Sequence, residues 1–246
     1  MPRNVFDEEL ARLNADLAEM GRRIDSIMQG TIRTLKNMDV AMAKSIFQKD
    51  VEINTMEKSI EQSCMNLLAL QQPLARDLRV ITATLKILTD MERVADQCAD
   101  ICEILSTVAG MAGQTASPRL LRMFGKARSM FAGALDAYLR RDAEAARTVC
   151  GMDDEVDALF SSSILDLCGQ LEHHPSSVPS TVDFMFIAKY IERIGDHATN
   201  IAEWAIFVET GIHPNLNDAV APAMPAGEEK VLDKGPDEDI KWRCPT

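Results

Sequence analysis

Two stretches of the chain repeat one pattern of chemistry-bearing residues. Glu92-Arg93-Val94-Ala95-Asp96 is followed by Asp100-Ile101, and 100 positions later Glu192-Arg193-Ile194-Gly195-Asp196 is followed by Asn200-Ile201. Four residues along an α-helix turn through about 400°, so Glu92, Asp96 and Asp100 drift by only about 40° per step and line one stripe. Glu192, Asp196 and Asn200 do the same. Like charges at this spacing cost a helix about 0.2–0.5 kcal/mol per pair, so the arrangement needs compensation. A hard cation held between carboxylates of neighbouring helices would supply it. So would Arg93, Arg193 and Lys189 on a solvated face, and both readings stand. Upstream, Asp50-Val51-Glu52-Ile53-Asn54 matches Asp153-Asp154-Glu155-Val156-Asp157 at a shift of 103, which gives each copy an acidic set on the preceding helix.

Other chemistries lack their residues. None of the four histidines (His173, His174, His197, His213) has a Glu three positions before it, so the imidazole-bearing pair of a di-iron bundle is missing. No GxxxxGK[ST] loop, GxSxG or HExxH occurs. His197 directly follows Asp196 and is read either as a surface or capping residue or as one that reaches a metal edge or a partner. The six cysteines form no CxxC and no paired framework, which reads as reduced core thiols. Cys98 and Cys102, four apart, would admit a soft metal, but no third thiol or His stands near them in sequence. The expectation is a protein that is not an enzyme.

The elements that must position these groups are helices. Hydrophobic residues make up 46% of the chain and aromatics only 5%, a composition that suits a globular helical fold. With 26 Lys and Arg against 38 Asp and Glu the net charge is −12, which disfavours nucleic acid as a ligand. Leu10, Leu13, Leu17, Met20, Ile24, Ile27 and Leu35 form an apolar seam on a first helix. A second is predicted over 39–71, and a third opens after Pro73. Small residues over 109–117 mark a break, and three more helices are predicted over 118–140, 142–173 and 180–209. Helices of about 30 residues need neighbours along their whole length, which two up-down-up three-helix bundles provide. The predicted fold is therefore all-α, six long antiparallel helices in two pseudo-symmetric three-helix bundles from an internal duplication. Its repeats cover 5–109 and 117–210, with an acidic, Pro-containing, loosely ordered tail over 211–246. No apolar h-region stands at the start of the chain and no stretch is long and apolar enough to span a membrane, so a cytoplasmic location is expected.

Pro73-Leu74-Ala75-Arg76-Asp77-Leu78-Arg79 resembles the P-[VL]-A-x-D-L-R segment of PhoU proteins. The two E-R-x-x-D copies resemble that family's duplicated E(D)xxxD motif, and Glu192 to Ile201 is a close match. The resemblance covers about residues 6–210. It implies a negative regulator of high-affinity phosphate uptake and phosphate-starvation signalling. Its implied partners are the phosphate ABC transporter ATPase subunit and a phosphate sensor histidine kinase, as a homodimer that meets the membrane only through partners. It also implies divalent or ferric ions (Mg, Mn, Fe or Zn) on Glu92, Asp96 and Asp100 with Asp50, and on Glu192, Asp196 and Asn200 with Asp153 and Asp157. Asn54 and the altered first motif depart from the pattern, so the first site is expected to be the weaker. A metal storage or oxidase bundle and a helical scaffold are the alternatives. Arg76 and Arg79, three apart at the start of the third helix, are expected either to meet a partner or to neutralise nearby carboxylates.

Overall fold

Among the described residues, the spaced apolar positions fold into seven α-helices. They are α1 (Arg3–Asn37), α2 (Val40–Gln71), α3 (Ala75–Val108), α4 (Pro118–Arg140), α5 (Ala143–Cys150), α6 (Asp153–His173) and α7 (Val178–Thr210). The structure is a computed structural model that describes residues 3–71, 73–108, 115–173 and 177–214, and no strand occurs among them. No helix of the described residues is long and apolar enough to cross a membrane. The break predicted over 109–117 is described only from residue 115, and the tail beyond residue 214 lies outside the described residues.

Every residue of the α1 seam named above is buried. Each such Leu, Ile or Met contributes about 1.5–3 kcal/mol of transfer free energy, which is what fixes the face a long helix presents. Local signals set the boundaries. Ser117 caps α4 by accepting from the Leu120 N–H at 3.1 Å, and Pro118 follows at the first helical position. Gly211 ends α7 in the left-handed region at φ 75°. Beyond it, His213 folds back on Trp204 with ring centroids 4.3 Å apart.

One prediction is corrected. The helix expected over 142–173 is two helices, α5 and α6, parted at Gly151 and Met152. Glycine weakens the helix there, and Asp153, Asp154 and Glu155 favour a new N-terminus because its first turn exposes N–H dipoles.

The two halves share one continuous core. α1 packs on α2 and α3, α7 packs on α4, α5 and α6, and the halves meet along α3–α7 and α1–α4. α3 and α7 run antiparallel, since Arg76 near the start of α3 lies 3.8 Å from Glu209 near the end of α7. Polar clamps fix the seam. Arg128 of α4 donates from Nε and Nη2 to the two Asp25 oxygens of α1 at 2.7 and 2.8 Å. The buried Tyr138 hydroxyl of α4 lies 2.7 Å from Thr84 Oγ1 of α3.

Candidate functional site

The α6–α7 acids come together. Asp153 is half-buried in the first turn of α6, Asp157 is exposed one turn on, and Glu192 and Asp196 line the facing side of α7. Gly195 lets the helices approach, because a Cβ there would stand 3.3 Å from Val156 Cγ1 and 3.6 Å from Asp153 Oδ1. Partial desolvation, then Glu192 and Asp153, push the Asp196 carboxyl above its ordinary pKa, even though most of its side chain is exposed. Desolvation, then Asp157, push Asp153 up. Asp153 Oδ1 and Thr199 Oγ1 are both buried without a well-formed hydrogen bond, though the Thr199 hydroxyl is close enough to favour the carboxylate. Lys189 pairs with Glu192.

Asn200 leaves this set. Its Nδ2 donates to Asp90 Oδ1 of α3 at 3.1 Å, across the seam between the halves. His197 joins it, with Nδ1 2.9 Å from the same oxygen. His197 therefore packs against Asp90 of its own chain.

The first copy is arranged differently. Arg93 donates to Asp96 at 3.1 Å and lies 3.5 Å from Glu92, so an internal cation already meets both acids. Asp100 is half-buried. Asp50 lies in α2, but its side chain is outside the described residues. An acid of α2 whose charge meets that of Asp96 is Glu57, which the sequence comparison at a shift of 103 passed over. Its carboxyl is pushed up by partial burial, then by Glu61, with Asp96 adding to the effect and Lys58 and Arg93 opposing it. The signal was present as Glu57 and Glu61 at helical spacing.

Among the described residues no three His, Cys, Asp or Glu side chains are arranged to hold a metal ion. The donor chemistry of Glu192, Asp196, Asp153 and Asp157 still fits a hard cation, being all oxygen, crowded with like charge and including one buried oxygen without a well-formed hydrogen bond. Arg76 and Arg79 differ in their surroundings. Arg76 is 62% exposed and meets Glu209, whereas Arg79 is half-buried with Nη1 2.7 Å from where a Gly211 Cβ would stand. The Cys98 and Cys102 thiols are buried and free, with Cys102 Sγ 3.7 Å from Thr31 Oγ1 and its pKa pushed up by burial to about 11.

Two halves, the first of three helices and the second of four, joined along α3–α7 and α1–α4 and each carrying acids on its last long helix, define a duplicated helical-bundle protein. The chain belongs to the PhoU family, whose PhoU domain model matches residues 17–105 and again 120–205. It is 36% identical over 219 residues to the phosphate-specific transport system accessory protein PhoU homolog of Clostridium acetobutylicum, covering 89% of this chain and 100% of that protein. The homolog of the same description from Zymomonas mobilis is 36% identical over 207 residues, covering 84% and 87%. In three dimensions the chain is similar to PhoU from Pseudomonas aeruginosa, with a TM-score of 0.79 at 29% identity over 84% of this chain and 100% of that one. The phosphate transport system regulatory protein PhoU from Streptococcus pneumoniae superposes with a TM-score of 0.79 at 28% identity, covering 85% and 98%.

Proposed function

We propose that this chain is a cytoplasmic adaptor that restrains high-affinity phosphate uptake and keeps phosphate-starvation signalling off when phosphate is plentiful. It acts by contact and not by catalysis. Its partners are the phosphate transporter ATPase subunit and a sensor histidine kinase, and it works as a homodimer. The observation that carries this reading is the full-length similarity to proteins named for the phosphate-specific transport system. The crowded acids of α6 and α7 give the adaptor a charged face whose repulsion a bound ion relieves.

Glu192, Asp196, Asp153 and Asp157 would hold a divalent or ferric cation in the second half. A bound cation would supply positive charge that offsets the mutual repulsion of these carboxylates. The chain's own contribution is to aim them, through Gly195 packing on Val156 and through the α5–α6 turn that starts α6 at Asp153. In the first half Arg93 already supplies a cation to Glu92 and Asp96, which supports weaker metal retention there.

The reading is tested by deleting the gene and following phosphate-starvation transcripts in phosphate-rich medium. Derepression is expected. A regulon that stays silent in the deletion strain overturns the regulatory role.

A further inference from the structure

α5 and the C-terminal part of α7 line an open groove of about 440 Å³ that none of the acidic motifs lines. Cys150, Ile206, Thr210, Ile212 and Pro214 make up most of its wall, and Glu203 lines it as well. Arg147 stands at the edge and pairs along its own helix with Glu144. A volume of this size is in the range of ligand and peptide-side-chain pockets.

Glu203 is the unusual wall. It is a carboxylate only 6% exposed, one turn from Ile206 on the same wall of the groove. Burial raises the Glu203 pKa first, and the charges of Asp153 of α6 and Asp90 of α3 raise it further. The groove thiol feels nearby charge too. Burial, then Glu203 and Asp153, push Cys150 up to about 11. Asp153 brings one buried oxygen that lacks a well-formed hydrogen bond. A low-dielectric site crowded with negative charge is stabilised by an incoming cation.

The walls say which cation. A bare metal ion would use the carboxylates and leave Ile206, Ile212 and Pro214 idle. A Lys or Arg side chain uses both, because an aliphatic stem lies on apolar surface while its head carries the charge. Ile212 is 58% exposed, a large apolar side chain at the groove mouth, ready to be covered. We propose that this groove docks a basic, apolar segment of a partner protein, with a Lys or Arg head group on Glu203 and its stem against Ile206, Ile212 and Pro214. The proposal concerns the chemistry of the docked segment and does not depend on the regulatory reading, although Asp153 of the acidic face adds to the charge behind the groove.

Cys150 reports occupancy from inside the groove, and Cys168, exposed on α6, serves as the internal reference. Full-length protein is treated with N-ethylmaleimide, and each cysteine is followed by peptide mass. The probes are a blocked Leu-Lys-Leu amide and the same peptide with norleucine in place of lysine. At millimolar concentration the lysine peptide should slow Cys150 alkylation about threefold, as expected for a site with a millimolar Kd, and leave Cys168 unchanged. Glu203→Gln should abolish the protection, and Ile212→Ser, a change at an exposed position that the fold tolerates, should weaken it. Equal protection by both peptides, unchanged protection in both variants, or no protection by either peptide overturns the proposal. The same protection by magnesium or manganese chloride alone would assign the carboxylates to a metal and overturn it too.

Discussion

Asp90 Oδ1 of α3 receives two side chains of α7, with His197 Nδ1 at 2.9 Å and Asn200 Nδ2 at 3.1 Å. Asp90 and His197 are 14% and 16% exposed, so the contact lies inside the seam between the two halves. The pseudo-symmetric counterpart is absent in sequence. Tyr190 stands 100 positions after Asp90, Gln97 stands 100 before His197, and Asp100 stands 100 before Asn200. The duplication is therefore broken at its own interface, where α3 supplies the acceptor and α7 the two side chains that meet it.

Asp90→Ala should cost about 1–3 kcal/mol, because it leaves two partly buried donors without their shared acceptor. Urea denaturation measures it. A loss below about 0.5 kcal/mol would mean that water replaces the carboxylate without penalty.

Bound metal should fall more in Asp196→Ala than in Asp96→Ala when metal content is measured by elemental analysis. Arg93 already meets Asp96, whereas Asp196 sits among Glu192, Asp153 and Asp157. Equal metal in the native protein and in both variants would remove both sites.

Stability should depend on pH through Glu203, whose pKa in the folded state is raised by burial and then by Asp153 and Asp90. A raised carboxyl binds its proton more readily in the folded chain than in the unfolded one. Its contribution to stability is thus present at acid pH and lost as pH rises through the raised value. Glu203→Gln removes that loss. Relative to the native protein, the metal-free variant should gain stability between pH 4 and pH 7 in urea titrations, the acid end lying near the ordinary carboxylate range. An unchanged difference at the two pH values would show that the group does not titrate as described.

Gly211→Ala should destabilise by about 1–2 kcal/mol. The residue has φ 75°, and the new Cβ would meet Arg79 Nη1 at 2.7 Å. Thermal melting checks it, with a melting temperature unchanged within error as the contrary result.

Arg76→Glu should leave stability within about 0.5 kcal/mol, since an exposed ion pair at 3.8 Å is worth little. Arg79→Glu should lower it by more, because the half-buried side chain packs against the Gly211 turn. Melting of the two single variants separates them. Equal effects would show that the two arginines share one environment.

The sequence by itself determined the helices and the duplication. Apolar residues at steps of three and four can bury only one face, so the α1 seam from Leu10 to Leu35 was readable without neighbours. The acidic stripes were readable for the same reason, because residues four apart on a helix stay aligned whatever packs beside them. The break at Gly151 was less legible, since glycine and an acidic first turn weaken a helix or start one depending on the packing around them. Which acids meet was decided only by tertiary structure. Asp90 lies far from His197 and Asn200 in the chain and meets them only because α3 and α7 run antiparallel in contact. The charge of Glu57 meets that of Asp96 through the register of α2 on α3, which no spacing within either helix encodes. Glu203 reads in sequence as one more charge on α7. Burial against α5 and the neighbouring carboxylates turns it into a wall of the groove, because desolvation and mutual repulsion depend on distances in space and not along the chain.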